Sequence, residues 1–414
     1  MKSNTSIKQI ARVIRGVSFD KGEAMDMRVD GCLPVLRAGN IDRELVTDRD
    51  LIWVPQERVA AEQRLKPGDI VICMSSGSPT VVGKTALLRS TWEGSVGAFC
   101  ALVRPRTDRV LPEYLAFFMQ TELFRTWTRQ SSGANIKNIR KTELEDFQLV
   151  LPSLEEQRRV VDLLSRAEGI VRLRREAQKK AAEIIPGLFL DMFGDPATNP
   201  KKWLVRTLGE LLRNGPTNGV YKHKSAYGSG TPILRIDGFY DGKVQDLASL
   251  KRVTLESEVE RNRFALTCGD IVINRVNSPV YLGKSAIIPE LSELTVYESN
   301  MMRFAVDKEQ VLPEFVIALL QQPAARHHFL AHAKHAINQS SINQQDVKSL
   351  PVIVPSRSMQ AIFAAHAQGV EAMSRQQTEA LKKTEAAFNA LLGWSFSVAD
   401  GSTASEHRVE VAST

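Results

Sequence analysis

The sequence predicts an α+β protein with two mixed α/β domains in tandem, each followed by a long helix, the two helices packing as an antiparallel coiled coil. Three observations lead to this prediction. The chain repeats itself once at domain length, and each repeat ends in an unusually long heptad-patterned segment. In addition, 43% of its 414 residues are apolar, as in globular proteins. Two domains of about 200 residues can each bury a core of their own.

The repeat is visible as five segments that return about 200 residues later. They are PVLR at 34–37 and PILR at 232–235, GDIVI at 68–72 and 269–273, GKTALL at 83–88 and GKSAII at 283–288, LPEY at 111–114 and LPEF at 312–315, and VLPS at 150–153 and IVPS at 353–356. This period is too long for a solenoid and indicates a duplicated domain. Two related modules on one chain are suited to binding two related ligands at once.

The repeat divides the chain into five parts. We predict a first domain over 1–152, a first long helix and junction over 153–195, a second domain over 196–355, a second long helix over 356–393 and a flexible tail over 394–414. Short aliphatic runs predict strands at 69–72, 85–88 and 101–103, and closing strands at 147–152 and 350–355. Helices are predicted at 111–127 and 312–329, each with a proline in its first turn.

The long helices are predicted over 153–185 and 356–392, where apolar residues recur in heptads. Ser153 and Glu156 form a capping box at the start of the first helix, and Pro186 is expected to end or kink it. Both apolar seams become polar near their middle, which would fix the register of a helix pair. The alternative is two amphipathic helices, each lying on its own domain. The residues predicted to pair the helices are Val160, Leu164, Val171, Ile185, Phe363, Val370, Leu381 and Phe388.

The net charge of +7 is concentrated in the two domains. Residues 1–152 hold 22 Lys/Arg against 18 Asp/Glu and residues 201–352 hold 19 against 15, so each stretch carries +4. This excess fits an acidic partner, although ordinary solubility charge would give the same number. The chain has no apolar run of about 20 residues and no secretory signal, so we expect a cytoplasmic protein without membrane contact. The four cysteines lack metal-ligand spacing and are expected to be reduced thiols.

Catalytic motifs are absent from the sequence. Residues 77–85 resemble a phosphate-binding loop but place five residues between the glycines, where that loop requires four. We therefore expect the shared Gly-Lys pair to form a tight turn into a strand. His328, His332 and His335 are spaced along one helix face, but the first domain has no histidine, which disfavours a metal site. The sequence also lacks the common nucleophile, zinc-protease and dinucleotide motifs, so we expect neither catalytic residues nor metal ligands.

Four stretches identify a resemblance to a known family. LRAGNI at 36–41, KPGDIV at 66–71, LPSLEEQ at 151–157 and LFLDMFGDP at 188–196 resemble the specificity subunit of type I restriction–modification systems. The order, spacing and duplication of these motifs carry the resemblance, which spans residues 1–393. The second helix departs from the pattern, because RSMQ at 357–360 replaces LEEQ, and this puts its start in doubt as a partner-docking point.

The resemblance implies a non-catalytic protein that recognises double-stranded DNA. Each domain would be a target-recognition domain for one half of a split, asymmetric sequence, and the helix pair would set the gap between the halves. Methyltransferase subunits using S-adenosylmethionine would dock on the helices, and a restriction and translocase subunit using ATP and Mg²⁺ would join for cleavage. The chain itself would bind no cofactor. The alternative is a related bipartite system whose partner fuses methyltransferase and nuclease.

Candidate DNA contacts come from comparing the two copies. Arg37 and Arg235 recur, with phosphate contact and a structural ion pair as open alternatives, and Lys84 and Lys284 recur beside a glycine turn. The copies diverge at 73–78 against 274–278 and at 131–138 against 336–341, as two different half-sites would require. In these stretches, Arg275 suits guanine and Asn277 suits adenine. The full set of candidates is Arg37, Asn40, Ser75, Ser76, Lys84, Ser131, Asn135, Lys137, Asn138, Lys222, Lys224, Arg235, Arg275, Asn277, Tyr281, Lys284, Asn338, Gln339 and Ser340.

Overall fold

The computed structural model describes residues 3–42, 44–78, 80–130, 137–336 and 339–397. The chain forms two compact units. Unit 1 combines Met1–Arg174 with Ala380–Thr414, and unit 2 is Arg175–Glu379. The division falls within both long helices, so each unit contains part of each helix. Both units mix helices and strands, and the predicted α+β class is confirmed.

Unit 1 begins with a strand that pairs with the last strand of its domain. Its strands are β1 Ser3–Ser6, β2 Ala11–Arg15, β3 Cys32–Leu36, β4 Ile52–Pro55, β5 Ile70–Cys73, β6 Ser75–Ser76, β7 Thr85–Leu87, β8 Ser95–Val96, β9 Cys100–Pro105, β10 Lys137–Asn138 and β11 Gln148–Leu151. Its helices are α1 Ile7–Ile10, α2 Pro112–Phe118, α3 Glu122–Gln130, α4 Lys141–Asp146 and the first part of α5 Leu154–Phe193. The sheets have the orders β2-β9-β5-β7, β4-β3-β8, β1-β11 and β10-β6.

Unit 2 repeats this plan with additions. Its strands are β12 Leu204–Thr207, β13 Leu212–Asn218, β14 Tyr227–Leu234, β15 Phe239–Tyr240, β16 Gly242–Val244, β17 Lys251–Val253, β18 Ile271–Asn274, β19 Val276–Asn277, β20 Ser285–Ile287, β21 Val296–Tyr297, β22 Met301–Val306, β23 Lys334–His335, β24 Ser340–Ser341 and β25 Pro351–Val354. Its helices are α6 Glu258–Arg263, α7 Pro313–Leu320, α8 Pro323–His332, α9 Gln344–Lys348 and the first part of α10 Arg357–Ser397. The sheets have the orders β13-β22-β18-β20-β16-β15, β17-β14-β21, β19-β24-β23 and β12-β25.

The repeated GDIVI segment forms the central strand of each main sheet. In β5, Ile70 and Ile72 enter one hydrophobic cluster, while Val71 and Cys73 enter another on the opposite face. In unit 2, Ile271 and Ile273 likewise enter a different cluster from Val272. A strand covered on both faces requires an uninterrupted apolar run, which explains why these residues do not alternate with polar ones.

The two long helices pack together through the residues that the heptad pattern selected. In unit 1, Leu164 and Val171 of α5 share a cluster with Phe388 of α10, and Val160 and Leu381 pack against it. In unit 2, Phe363 of α10 lies within 5.8 Å of Phe189 and 5.5 Å of Phe193 of α5, measured between ring centroids, and Ile185 packs against this cluster. Val370 is half-buried. The start of each helix meets the end of the other, so the pair is antiparallel.

The polar middle of the helix pair contains a direct hydrogen bond. The Gln178 Nε2 atom donates to Thr378 Oγ1 at 3.0 Å, within unit 2. A half-buried polar pair inside an apolar seam disfavours shifted registers, because any shift would separate its two groups. The predicted polar break in the seam therefore coincides with a specific contact.

The predicted end of the first long helix at residue 185 is wrong. Helix α5 continues through Pro186 to Phe193, although an internal proline costs roughly 3 kcal/mol. The added turns bury Phe189 and Phe193 completely, and burying a phenylalanine contributes about 1.5–3 kcal/mol. Two such side chains offset the proline. Helix α10 likewise continues to Ser397, so the start of the predicted tail is helical, while residues 398–414 lie outside the described residues.

Each helix predicted after the Leu-Pro-Glu motif is two helices. In unit 1, Thr121 separates α2 from α3, and its hydroxyl accepts from the Phe124 amide at 3.4 Å. In unit 2, Pro323 opens α8 directly after α7 ends. Proline disfavours the helical conformation in the residue before it, so it separates the two helices.

The predicted Gly-Lys turns are confirmed. Gly83 and Gly283 have φ angles of +77° and +74°, and the next strand begins two residues later in each unit. A Cβ at Gly83 would lie 2.3 Å from Thr128 Oγ1, and one at Gly283 would lie 2.5 Å from Phe329 Cδ2. Only glycine fits a left-handed conformation against so close a helix. The turn therefore packs directly against α3 in unit 1 and against α8 in unit 2.

Candidate nucleic-acid interface

The diverged polar stretches of the first copy meet in unit 1. Strand β6 pairs antiparallel with β10, so that Ser75 lies opposite Asn138 and Ser76 opposite Lys137. The pairing is reinforced where the Ile139 amide donates to the Met74 carbonyl at 2.8 Å. Two segments more than 60 residues apart thus form one small ladder at the end of the central strand β5. We call this ladder the unit 1 tip.

Unit 2 has the same arrangement with different residues. Strand β19 pairs with β24, placing Val276 opposite Ser341 and Asn277 opposite Ser340, and β23 adds a third strand. The Ile342 amide donates to the Arg275 carbonyl at 2.9 Å. We call this ladder the unit 2 tip.

Several predicted contacts lie on these tips and several do not. Ser75, Ser76 and Asn277 are half-buried, and Asn138 and Gln339 are exposed. Ser340 is 1% exposed and its hydroxyl lies 2.9 Å from His335 Nδ1, so the structure gives it an internal role instead of a DNA contact. Lys137 lies in strand β10. The predicted contacts Ser131, Asn135 and Asn338 lie outside the described residues.

The two recurrent lysines have different surroundings. The Lys284 Nζ atom donates to the Ile236 carbonyl at 2.7 Å and lies 3.7 Å from the centre of the Tyr240 ring. Tyr281, half exposed, contributes a second ring at 5.3 Å. Burial lowers the pKa of Lys284, against the opposing effect of two nearby aspartates. The Lys284 ammonium thus has a carbonyl and two aromatic rings as neighbours, and its contact with phosphate stays a prediction.

Lys84, at the equivalent position of unit 1, is half-buried in the turn that Gly83 forms. Within the part of the chain that the structure describes, its ammonium has no hydrogen bond or ion pair. It therefore stays a candidate for phosphate contact.

Arg37 and Asn40 form one turn after strand β3. Asn40 is 1% exposed; its Oδ1 accepts from the Arg37 amide at 2.8 Å, and its Nδ2 donates to the carbonyls of Val46 and Arg49 at 3.1 and 2.9 Å. The amide of Asn40 holds the turn, and its contact with DNA stays a prediction that this internal role does not favour. Arg37 remains exposed, and its guanidinium donates to the Asp50 carbonyl at 3.3 Å.

Arg235 forms an ion pair, which is one of the two alternatives that the sequence left open for it. Its Nε lies 3.4 Å from an oxygen of the buried Glu298, whose other oxygen accepts from the Ile236 amide at 2.7 Å. Burial raises the pKa of Glu298, and Arg235 opposes this effect. Gly97 takes the place of this glutamate in the first copy, so Arg37 has no such partner there.

Two further predicted cations, Lys222 and Lys224, lie after strand β13. Lys222 is paired with Glu256 and Glu260, both at 2.9 Å, and its hydrogen bonds to them raise its pKa. Its charge is balanced by these two carboxylates, and its contact with DNA stays a prediction. Lys224 is exposed and stays a candidate.

The predicted helix face of three histidines does not form. His328 and His332 stack in α8 with ring centroids 4.3 Å apart, but α8 ends there and His335 belongs to β23. The His328 Nε2 atom lies 3.0 Å from the Asp346 carbonyl, and burial lowers its pKa. Among the described residues, no cluster of three or more metal-ligating side chains is present.

A polar depression lies beside the unit 2 tip and was not predicted from the sequence. It has a volume of about 450 Å³ and is lined by Asn218, Arg275, Asn343, Gln344, Gln345 and Lys348. Only Arg275 was predicted. The difference between the copies was visible in the sequence, because the residues after Ile342 differ in type and charge from those after Ile139. Recognising it required aligning the short helices α4 and α9.

Comparisons with known proteins agree with this architecture. A family described as "Type I restriction modification DNA specificity domain" matches residues 3–183. The chain is 30% identical to the EcoKI specificity subunit of Escherichia coli K12, covering 86% of this chain and 79% of that one. It is 28% identical to the StySPI specificity subunit of Salmonella potsdam, covering 94% and 87%.

A solved chain from a study of assembly and conformational transition of the type I R-M system has the same fold. Its TM-score is 0.55 at 16% identity, covering 95% of this chain and 97% of that one. No described helix has the length and apolar character that crossing a membrane requires.

Proposed function

Because this chain belongs to the family of type I restriction–modification specificity subunits, we propose that it recognises a split, asymmetric DNA sequence with its two units. Each unit would bind one half-site through its tip. The chain would supply the sequence recognition and no catalytic group.

One observation carries this proposal. The two tips have the same ladder between the same elements, yet their residues differ: Ser75 and Ser76 in one, Val276 and Asn277 in the other. A common frame with different polar side chains is what reading two different half-sites requires.

We further propose that the helix pair sets the gap between the half-sites. Helices of 40 and 41 residues are each roughly 60 Å long, more than one turn of duplex DNA, which is about 34 Å. The hydrogen bond between Gln178 and Thr378 would hold the pair in one register. A stiff connection also raises the effective concentration of the second half-site once the first is bound.

The catalytic work would belong to partner subunits. A methyltransferase subunit would use S-adenosylmethionine to methylate adenine, and a restriction and translocase subunit would use ATP and Mg²⁺. The chain would dock these subunits through the exposed faces of its helices and bind none of the cofactors itself.

Methylome sequencing tests the proposal. Cells that carry this chain with its methyltransferase subunit should contain one methylated motif of two defined halves with a fixed undefined gap. Methylation at an unsplit motif, or methyl transfer by the purified chain alone, would contradict the proposal.

A second experiment tests the helix pair as a spacer. Seven residues inserted in α5 beside Gln178 and seven in α10 beside Thr378 keep the heptad seam in phase and add roughly 10 Å. We expect the gap to change by about three base pairs while both halves stay the same. A change in either half would mean that the helices do more than set the spacing.

A further inference from the structure

The depression beside the unit 2 tip contains polar groups that the fold leaves unused. No side-chain hydrogen bond within the described residues occupies the amides of Asn218, Gln344 or Gln345, or the ammonium of Lys348. The Arg275 guanidinium donates one hydrogen bond, from Nη1 to the Ser299 carbonyl at 3.2 Å, while its buried Nε has no partner. The buried Nε of Arg275 is the observation that indicates a ligand, because buried donors without partners are uncommon in folded proteins. The exposed amides of Asn218, Gln344 and Gln345 lie beside it and are available to the same ligand.

Three elements bring these residues together. Asn218 ends strand β13, and Arg275 lies between β18 and β19. The other four residues are the N-cap of α9 and residues from both ends of that helix. The Asn343 side chain caps this helix, with its Oδ1 accepting from the amides of Gln345 and Asp346 at 2.7 and 3.1 Å. The cap fixes the first turn of α9, so that Gln344 and Gln345 are held exposed on a well-defined backbone.

The charge and chemistry of the lining point to nucleobase edges. Arg275 and Lys348 are the cations, and no carboxylate lines the depression. Arginine makes paired hydrogen bonds to guanine, and asparagine and glutamine make them to adenine in the major groove. Asparagine and glutamine also contact phosphate oxygens, so the test below separates base reading from phosphate contact by its dependence on DNA sequence.

Unit 1 has different residues at the equivalent positions. Met74 occupies the place of Arg275, since its amide donates to the Phe99 carbonyl as that of Arg275 donates to Asn300, at 2.8 and 2.9 Å. Met74 is 7% exposed, so it offers no polar group. The other equivalents are Arg15, Arg140, Lys141, Thr142 and Glu145.

The unit 1 surface is therefore cationic where the unit 2 surface is rich in amides. Arg15 and Arg140 are exposed, and Lys141 pairs with Glu145 at 3.6 Å. The same short helix thus presents different hydrogen-bonding groups in the two units. The divergence at the tips extends into α4 and α9.

We propose that Arg275, Gln344 and Gln345 form the base-reading site of unit 2, and that its ligand is a run of purine edges in the major groove of the second half-site. This inference rests on the proposed function. It assigns sequence discrimination in unit 2 to α9 together with Arg275, beside the ladder of β19 and β24.

The test uses the full chain with its methyltransferase subunit in cells, with the methylome as the readout. The double variant Gln344→Ala/Gln345→Ala should lower discrimination at one or two base pairs of one half-site roughly tenfold to hundredfold, the scale of one paired contact. The other half-site should not change. Arg275→Met, which installs the residue of unit 1, should relax a different base pair of the same half-site.

Matched variants separate this result from a loss of folding or of phosphate contact. Thr142→Ala, at the position of Gln345 in unit 1, should leave the half-site that unit 2 reads unchanged, and Asn262→Ala on the exposed face of α6 should alter neither half. Gln345→Glu keeps the size of the side chain and should change the preferred base. An unchanged motif in this variant would overturn the inference, as would a uniform loss over all sequences with a smaller salt dependence.

The proposed function and the base-reading site can be disproved separately. If the wild-type chain gives no split motif, the proposed function is wrong. If it gives a split motif that the unit 2 variants leave intact, only the base-reading site is wrong.

Discussion

Gln157 and Gln360 make the same three hydrogen bonds in the two units. The Gln157 Oε1 atom accepts from the Leu111 amide at 2.9 Å, and its Nε2 donates to the carbonyls of Arg109 and Pro152 at 3.2 and 3.0 Å. Gln360 repeats these bonds, at 2.8 Å to the Leu312 amide, and at 3.3 and 2.9 Å to the carbonyls of residues 310 and 355. Both side chains are fully buried. They connect the first turn of each long helix to its domain.

This explains which part of the LEEQ motif survives in the second copy. RSMQ at 357–360 retains only the glutamine, which is the buried residue that binds the preceding domain, while Glu155 and Glu156 of the first copy are exposed. The second helix therefore starts on its domain as firmly as the first, although its surface differs.

Replacing Gln157 should destabilise unit 1 selectively. Gln157→Leu keeps the volume but leaves one buried amide and two carbonyls without partners, and each such group costs about 1–3 kcal/mol. We expect hydrogen exchange at the Leu111 amide to accelerate at least thirtyfold, which corresponds to about 2 kcal/mol. Exchange at Leu312 should stay unchanged.

The matched variants sharpen this measurement. Gln360→Leu should give the reverse pattern, and the exposed Glu155→Ala should change neither amide. Equal acceleration in both units would show that the glutamines act on the whole chain and not on their own domains.

Lys84 and Lys284 should differ in their effect on the salt dependence of DNA binding. Lys84→Met should reduce the slope of log K against log salt by about 0.9, the value for one phosphate contact. Lys284→Met should leave the slope unchanged, because its ammonium lies among Tyr240, Tyr281 and the Ile236 carbonyl. Binding of the complex to its target duplex between 50 and 200 mM salt, roughly the range in which such slopes are resolved, measures both. Equal slopes for the two variants would contradict this assignment.

Asn40→Ala should lower stability without changing DNA recognition directly. The variant removes a buried side chain that accepts one and donates two backbone hydrogen bonds, so we expect a loss of about 1–3 kcal/mol in the free energy of unfolding of unit 1. Chemical unfolding monitors the loss. Arg37→Ala, at the exposed end of the same turn, is the control, and it should weaken DNA binding with little loss of stability. A normally stable Asn40→Ala chain with altered base preference would restore Asn40 as a contact residue.

The stability of unit 2 should fall in mild acid through His328. Burial lowers its pKa below the ordinary value of 6.5, so the unfolded chain takes up a proton more readily than the folded chain. The stability contributed by neutral His328 is therefore present above about pH 6.5 and is lost as the pH falls below it. His328→Gln keeps a donor for the Asp346 carbonyl and removes the titration.

Urea unfolding at pH 7.5, 6.0 and 5.0, values on both sides of the ordinary histidine pKa of 6.5, tests the effect. The wild-type chain should lose more stability than the His328→Gln variant over this interval. His332→Gln, which changes the exposed ring of the stacked pair, should retain most of the pH dependence. An identical pH dependence in the His328→Gln and wild-type chains would contradict the prediction.

The apolar pattern of the sequence predicted the structural features that depend on burial. The central strands, the closing strands and the helix seam were readable because an apolar run or a heptad reports which faces are covered. Pro186 was misjudged because its local cost is visible in the sequence, whereas the burial of Phe189 and Phe193 that offsets it depends on tertiary contacts. The break between α2 and α3 was not predicted, because no interruption of the apolar pattern marks Thr121.

The site was harder to predict, because residue type does not reveal whether a polar group is already occupied. Lys84 and Lys284 look equivalent in the sequence, and only the three-dimensional neighbours of Lys284 distinguish them. Asn40 resembles a DNA-binding asparagine until the carbonyls that it binds are known. Gln344 and Gln345 were overlooked because no apolar period marks a helix of five residues.

The order in which the chain is synthesised has a consequence for its folding. Unit 2 is one uninterrupted stretch and can close its core as soon as residue 379 has been made. Unit 1 must wait for the last part of α10, because Phe388, Leu392 and Phe396 complete the cluster that contains Tyr114 and Phe118. Unit 1, although most of its residues precede unit 2 in the chain, is therefore finished after it, and its aromatic core stays uncovered until the last part of α10 has been made.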